Sequence, residues 1–349
     1  MSFVLYGATG YTGALIAEAS AARGLRPTLA GRSEAPLRAL GERLGLPHVV
    51  VALDDQAGLD RLLDTAPLVL HCAGPYAETA RPMVDACLRT GRHYLDLTGE
   101  IPVFEALRAR DDEARARGVL LLPGVGFDVV PSDCLALHVA RRLPDASALE
   151  LCVASFGSAS HGTAATALSQ FRGQSAERAG GRLVATRFGS RRRAFDLGDG
   201  KEHLAVGAPL ADVVTAAVST GIADVRAYLV VAGKLRRALR LAPIFGPLLG
   251  VGPIARALRA SLPPGGPSAE ARARGRTVVV AEASNGTGGR ASARLTGPDA
   301  YALTVDCALL CVARVLAGHA PPGFQTPARA FGPDLVLEAP GVQRVDLPT

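Results

Sequence analysis

Short apolar runs alternate with amphipathic segments along the amino-terminal part of the chain. Six apolar runs occupy residues 2–6, 27–30, 48–53, 67–72, 93–97 and 118–122. Between them, apolar residues recur at three- or four-residue intervals, as Leu37, Leu40 and Leu44 do, which is the period of a helix with one buried face. Six strands that alternate with helices predict an α/β fold built on a doubly wound parallel sheet.

A different pattern begins near residue 148. Residues 149–156 form an apolar run, and residues 182–195 alternate basic and apolar positions, as exposed antiparallel strands do. Residues 276–284 and 289–296 flank an Asn-Gly pair, which predicts a hairpin. We therefore expect a first domain over residues 1–131 and a second, α+β domain over residues 132–300. A helix and tail over residues 301–349 are expected to pack back on the first domain.

The turn after the first predicted strand is rich in glycine, and a helical segment follows it. Its residues are Gly7, Ala8, Thr9, Gly10, Tyr11, Thr12 and Gly13. Glycine reaches positive φ cheaply and lets an anion approach the backbone, where the first N–H groups and the dipole of the helix hold it. The order of strand, glycine turn and helix predicts that these seven residues bind a dinucleotide. The alternative is a glycine-rich turn of some other α/β protein.

The residues after the second and third apolar runs indicate which dinucleotide binds. An NAD site usually has an acidic residue after the second strand, whereas this chain has Arg32 and Ser33 there. A guanidinium and a hydroxyl suit the 2′-phosphate of NADP, so NADP is the expected cofactor. Arg32 could instead be a solvated surface residue. Asp54 falls where either a contact to the adenine side or a helix cap is expected.

The turn after the fourth apolar run lies beside the glycine turn in such a sheet. Ligands bind beyond the carboxyl ends of the strands, at the point where the strand order reverses, and the first and fourth strands flank that point. Ala73 and Gly74 leave room for the cofactor backbone, and Pro75 stiffens the turn. Tyr76 either lines the nicotinamide side or fills space.

Composition and charge narrow the function classes. The chain has 349 residues, of which 48% are hydrophobic and 20% charged, with a net charge of +6. Much of the basic excess lies in residues 226–260, which contain no Asp or Glu, and no nucleic-acid-binding motif accompanies it. Four interpretations of this segment stay open. It is a lid over an apolar ligand, a docking face for an acidic carrier, a membrane-surface patch, or a basic helical hairpin packed on its own domain.

The six cysteines lie mostly in apolar runs and form no C-x-x-C pair, which favours buried, reduced thiols over a metal site. The first residues already read as a strand, so we expect a cytoplasmic protein without a signal peptide.

Several motifs together resemble the saccharopine dehydrogenase-like oxidoreductases, in the branch of the trans-acting enoyl reductases. They are residues 7–13, 31–32, 72–76, 94–100 (YLDLTGE), 126–133 (GFDVVPSD) and 323–328. The resemblance implies a Rossmann-type NADP-binding domain and an α+β domain for substrate binding or dimerisation. His161 stands in a turn where that branch has a glycine.

Reduction of an acyl-type substrate needs a proton donor beside the nicotinamide. The candidates are Tyr76, Glu100, Asp128 and His161. For Asp128, and for Asp133 nearby, a loop or capping hydrogen bond is an equally good explanation. Only two lysines occur in the chain, which argues against a catalytic lysine.

We expect an NADP-dependent reductase of an apolar substrate, either a small molecule or carrier-bound. The alternatives are an NADP-binding sensor or scaffold without catalysis, and a protein that contacts a membrane surface through residues 226–260. A homodimer is also predicted.

Overall fold

The computed structural model describes residues 2–157, 174–230 and 265–348. In the amino-terminal part, strands and helices alternate. They are β1 (Val4–Tyr6), α1 (Tyr11–Ala22), β2 (Thr28–Gly31), α2 (Glu34–Leu44), β3 (His48–Val50), α3 (Gln56–Leu63), β4 (Leu68–His71), α4 (Tyr76–Thr90), β5 (His93–Asp96), α5 (Ile101–Arg108), α6 (Asp111–Ala116) and β6 (Leu120–Leu122).

The rest of the described chain begins with a helix and continues mainly as strands. The elements are α7 (Val130–Arg142), β7 (Ala148–Phe156), β8 (Gln174–Ala179), β9 (Arg182–Arg187), β10 (Arg192–Asp196), β11 (Glu202–Gly207), α8 (Asp212–Thr220), β12 (Asp224–Val230), α9 (Ala269–Ala273), β13 (Arg276–Ser284), β14 (Arg290–Pro298), α10 (Ala300–Leu316), β15 (Gly323–Phe324), α11 (Pro327–Phe331), a 3₁₀ helix (Leu335–Glu338) and β16 (Gln343–Leu347).

The first sheet has seven strands in the order β15-β6-β5-β4-β1-β2-β3. All of its strand pairs are parallel, and β1 lies between β2 and β4, so the order reverses there. The predicted α/β fold with a doubly wound parallel sheet is confirmed. The seventh strand, β15, was not predicted, because its two residues are too few to show a pattern in sequence.

Burial explains why these short strands form. Strands β1, β4 and β6 are buried along their whole length, as expected for a parallel sheet covered on both faces. Helices α2 and α4 each end at a glycine in the left-handed region, Gly45 with φ +63° and Gly91 with φ +69°, a common helix stop. These stops return the chain to the sheet for the next strand.

The second sheet is mixed, and the described residues contribute nine strands to it. Its main path runs β10-β11-β12-β7-β13-β14-β16, and β8 joins β12 to β9. The predicted hairpin is present as β13 and β14, which pair antiparallel from Ser284 opposite Arg290 to Arg276 opposite Pro298. The only parallel pair among these described strands is β7 with β12. A second, α+β domain is therefore confirmed.

The chain divides into two compact units, residues 1–130 with 301–331 and residues 131–300 with 332–349. The last part of the tail differs from the expectation that it packs on the first domain. Strand β16 pairs antiparallel with β14 in the second sheet. Its Asp346 carboxylate also contacts His138 of α7, with Nε2 and Oδ1 2.7 Å apart. Backbone pairing and this contact hold the tail on the second unit.

None of the helices in the described part of the chain is both long enough and apolar enough to cross a bilayer. Most of the basic segment predicted at residues 226–260 lies outside the described residues, which include only residues 226–230, in β12.

Candidate functional site

The glycine turn joins β1 to α1 with very little room for side chains. Gly7 has φ +81°, and a Cβ there would lie 2.7 Å from the backbone nitrogen of Ala73. A Cβ on Gly13 would lie 2.3 Å from the carbonyl oxygen of Gly7. Gly10 differs, since the nearest atom to its Cβ would be at an ordinary contact distance of 3.4 Å. Gly7 and Gly13 are therefore required by packing, whereas Gly10 is exposed and has room for a Cβ.

The amino-terminal end of α1 suits an anion. In this described helix, no side chain caps the first turn and no acidic residue lies in it. The first N–H groups of a helix carry a partial positive charge and bind phosphate well. The glycine turn and α1 thus fit the diphosphate of a dinucleotide without rearrangement of a side chain.

Arg32, Ser33 and Asp54 lie at the carboxyl ends of β2 and β3. Arg32 is exposed and makes no ion pair or hydrogen bond with any residue that the structure describes, and the Ser33 hydroxyl does not cap α2. The Tyr6 hydroxyl donates a hydrogen bond to the carbonyl oxygen of Val51 (3.1 Å). Burial raises the pKa of Tyr6 to about 12; Arg32 lowers it and Asp54 raises it, so both charges lie near this phenol.

Asp54 does not cap the helix that follows it. The neighbouring Asp55 does so, because its Oδ1 accepts a hydrogen bond from the Gly58 N–H (2.9 Å). Asp54 remains exposed, and the adenine contact predicted for it stays a prediction. The roles of Arg32 and Ser33 at a 2′-phosphate stay predictions as well.

The turn after β4 packs against the glycine turn. A Cβ on Gly7 would lie 2.9 Å from the Cβ of Ala73, and the Thr79 hydroxyl donates a hydrogen bond to the Ala73 carbonyl oxygen (2.6 Å). Gly74 and Pro75 are exposed and lead directly into α4. Residues 73–75 therefore lie beside the glycine turn, and their contact with the cofactor stays a prediction.

Tyr76 directs its hydroxyl into the domain. The hydroxyl donates a hydrogen bond to the His71 carbonyl oxygen (3.3 Å), and the ring packs edge-on against His71 with the centroids 5.6 Å apart. Burial, followed by the nearby Cys72 and Asp96, raises the pKa of Tyr76 well above its ordinary value. The structure therefore favours a packing role for Tyr76 over proton donation.

Glu100 also has a structural task. Its two carboxylate oxygens accept hydrogen bonds from the backbone N–H groups of Tyr76 and Ala77, each at 2.9 Å, so it caps α4 from a distant loop. Both oxygens thus hold the beginning of α4, and proton donation by Glu100 stays a prediction.

Asp128 follows β6 and is the candidate whose carboxyl group is available. Within the described part of the chain it makes no hydrogen bond or ion pair. Its side chain lies against the loop after β5, since a Cβ on Gly99 would be 3.4 Å from Asp128 Oδ2. The surrounding protein raises the pKa of Asp128 to about 6 by desolvation, although the residue keeps an exposed surface.

Two further acids were proposed. His161 is outside the described residues. Asp133 is buried in the second unit, where its Oδ1 accepts a hydrogen bond from the Ser219 hydroxyl (2.5 Å).

Two residues at the beginning of α10 were not predicted to be near the site. The Thr304 hydroxyl accepts a hydrogen bond from the Phe127 N–H (3.1 Å), which fixes the loop that carries Asp128. Tyr301 packs edge-on against Tyr11 of the first turn of α1, with the centroids 5.0 Å apart. Neither contact has a local sequence signal, because more than 170 residues separate Thr304 from Phe127.

Residues 3–122 match the family model of the saccharopine dehydrogenase NADP binding domain. This match covers most of the first domain. The predicted resemblance and NADP as the cofactor are thus confirmed.

Two curated relatives match a longer segment. The chain is 38% identical over 157 residues to a trans-acting enoyl reductase of Mycobacterium leprae, a match that covers 43% of this chain and 38% of the relative. It is 29% identical over 160 residues to a mouse saccharopine dehydrogenase-like oxidoreductase, covering 40% of this chain and 37% of the relative. The matched segment therefore spans less than two fifths of each relative's length.

Among solved structures, saccharopine dehydrogenase (L-Glu forming) from Saccharomyces cerevisiae is similar over 99% of this chain and 100% of its own, with a TM-score of 0.70 at 12% identity. At that identity the likeness concerns the fold alone, and it extends over both domains.

Proposed function

We propose that the protein is an NADPH-dependent reductase of an α,β-unsaturated acyl thioester or a related acyl-type substrate. The family of the first domain supports the cofactor. The trans-acting enoyl reductases, to which 157 residues of the chain are 35–38% identical, support the substrate class. The observation that carries the chemistry is the available carboxyl group of Asp128, beside Gly99 at the carboxyl edge of the first sheet.

The residues of the site fit the parts of NADPH in order along the sheet edge. The diphosphate would lie on the glycine turn and the amino-terminal end of α1. Arg32 and Ser33 would contact the 2′-phosphate, and Asp54 the adenine side. Residues 73–75 would border the nicotinamide half. When bound, NADPH supplies a hydride.

Asp128 supplies the matching proton. Hydride addition to the β-carbon of an enoyl thioester breaks the carbon–carbon π bond and moves its electron pair toward the thioester carbonyl. The protonated carboxyl of Asp128 donates a proton to the α-carbon, which completes the saturated product, and the carboxylate regains a proton from solvent. A pKa near 6 leaves a usable fraction of the acid form at neutral pH.

Turnover with a panel of substrates tests this proposal. Enoyl thioesters of increasing chain length are mixed with the protein and NADPH, and loss of NADPH absorbance is followed. We expect turnover by the wild type and a loss of about 100-fold or more in Asp128→Asn, with NADPH affinity unchanged. Asp112→Asn is the matched control, because Asp112 is an exposed carboxylate on α6; it should retain full activity.

Two results would count against the proposal. Turnover by Asp128→Asn at the wild-type rate would remove Asp128 as the proton donor. A wild-type protein that binds NADPH but oxidises it with no enoyl, imine or keto compound would favour the non-catalytic sensor.

A further inference from the structure

We propose that residues 94–100, the YLDLTGE motif, position the nicotinamide half of the cofactor by holding the beginning of α4. In this role Glu100 is a positioning residue and not a proton donor. The inference rests on the proposed function only in taking residues 73–75 as the residues that border the nicotinamide.

A network of hydrogen bonds connects this motif to α4, and it ends at the amino-terminal end of α4, which Glu100 caps. The residue that precedes α4 is Pro75, which has no side chain able to cap. Glu100 supplies the missing acceptors from 24 positions away, through two hydrogen bonds of 2.9 Å to the N–H groups of Tyr76 and Ala77. Glu100 is only 7% exposed, so the contact is formed with little competition from water.

Hydrogen bonds within the motif and to Gly124 hold Glu100 itself in place. The Glu100 N–H donates a hydrogen bond to the Thr98 hydroxyl (3.1 Å), and the Thr98 N–H donates one to Asp96 Oδ1 (2.9 Å). Asp96 Oδ1 also accepts from the Gly124 N–H (2.9 Å), and its Oδ2 accepts from the Tyr94 hydroxyl (2.7 Å). Asp96 and Thr98 are fully buried. Each acceptor in this chain of contacts has a donor, and such satisfied buried networks are rigid.

The network ends where the cofactor loop begins. Residues 72–75 connect the last residue of β4, His71, to Tyr76, the first residue of α4. Within that loop, Ala73 packs on Gly7 so closely that a Cβ on Gly7 would have no room. A shift of the beginning of α4 therefore changes the spacing between the two loops that flank the point where the strand order reverses.

The cap also distinguishes the two helices that begin there. Helix α1 has an uncapped amino-terminal end, available to an anion, whereas the carboxylate of Glu100 occupies the corresponding end of α4. A diphosphate is therefore attracted to α1 and excluded from α4. This difference places the diphosphate on one side of the switch point and reserves the other side for the uncharged ring of NADPH.

Binding measurements on Glu100→Gln test the inference without any turnover. An amide cannot accept both N–H groups with its two polar atoms, so one donor of α4 loses its partner. We measure the affinities for NADPH and for adenosine 2′,5′-bisphosphate, which has the adenosine half alone, and the emission of bound NADPH, which reports the surroundings of the nicotinamide. We expect NADPH affinity to fall about tenfold, affinity for the bisphosphate to stay within about twofold, and the emission to shift.

The matched control is Asp111→Asn. Asp111 also accepts a backbone N–H with its carboxylate, from Phe324 (2.7 Å), but Phe324 lies in β15, the outermost strand of the sheet, which β6 and β5 separate from β4. Both affinities and the emission should be unchanged in this variant.

If Glu100→Gln does not fold, Thr98→Val tests the same path, since it removes only the hydroxyl that accepts from Glu100. It should shift NADPH emission in the same direction by a smaller amount, and Thr98→Ser should restore the wild-type emission.

Two outcomes would overturn the inference. Equal losses of affinity for NADPH and the bisphosphate would indicate a general loosening of the domain, and unchanged NADPH affinity with unchanged emission would show that the cap does not affect the nicotinamide. Absence of turnover in the wild type would contradict the proposed function but would leave these binding results, and hence this inference, intact.

Discussion

Replacement of Asp96 by Asn should change how the stability of the protein depends on pH. Asp96 is fully buried, and its pKa is raised from 3.8 to about 6. Burial is the largest cause and the charge of Glu100 adds to it, whereas the hydrogen bonds from Thr98, Tyr94 and Gly124 oppose the rise. Between these two values the folded protein holds a proton that the unfolded chain has released. This stabilising contribution is therefore complete below about pH 4 and is lost as the pH rises through about 6.

The size of the effect follows from the shift. A shift of about two pH units corresponds to about 3 kcal/mol of unfolding free energy. Asn does not titrate, so the difference in unfolding free energy between the wild type and Asp96→Asn isolates this contribution from those of other groups. As the pH rises from about 4 to about 7, the wild type should lose about 3 kcal/mol of unfolding free energy relative to the variant.

The measurement is urea unfolding followed by far-ultraviolet circular dichroism, because the chain contains no tryptophan. The variant has a constant penalty from the hydrogen bonds that an amide cannot make, and this penalty does not vary with pH. A difference between the two proteins that stays flat across the range would refute the assignment of a raised pKa to Asp96.

Three further predictions concern the glycine turn, the choice of cofactor and the proton held by Asp128. Gly13→Ala should lower the unfolding free energy by about 1–3 kcal/mol, because its Cβ would lie 2.3 Å from the carbonyl oxygen of Gly7. Gly10→Ala should leave the unfolding free energy within about 0.5 kcal/mol of the wild type and weaken NADPH binding. Equal stability of the two variants in urea would contradict this prediction. Arg32→Glu should weaken NADPH binding at least about tenfold and improve NADH binding; unchanged dissociation constants for both cofactors would remove Arg32 from the site. The rate of NADPH oxidation should fall as the pH rises above about 6, where Asp128 loses its proton, and the Asp128→Asn variant should show no such decline.

The features that sequence predicts well here are the local ones. A strand, a glycine turn and a helix within residues 4–22 follow local steric rules, so the positive φ of Gly7 and the close packing of Gly13 could be expected from residue type and order. The same holds for the hairpin around Asn285-Gly286. In each case the residues that determine the structure are adjacent in the chain.

The features that sequence does not predict depend on contacts between distant segments. Tyr76 has an aromatic ring and a hydroxyl suited to a cofactor site, but only the packed domain shows that its hydroxyl contacts the carbonyl oxygen of His71. Glu100 has a carboxylate and lies at the end of the sheet where the strands finish, as a catalytic acid would. Its hydrogen-bond partners, however, belong to a helix that begins 24 positions earlier. Asp54 and Asp55 are chemically alike, but Asp55 is the residue immediately before α3 and is the one that caps it.

These cases change how acidic residues at the edge of such a sheet should be interpreted. Asp96 is the last residue of β5, Glu100 follows β5 and Asp128 follows β6. All three therefore lie toward the same edge of the sheet, in motifs that carry the resemblance. The hydrogen bonds separate them: Asp96 and Glu100 have every carboxylate oxygen occupied by a donor, whereas Asp128 makes no such contact with any residue that the structure describes. An acid that must transfer a proton to substrate needs an oxygen that the fold does not use, and this requirement supports Asp128 over the other two as the proposed proton donor.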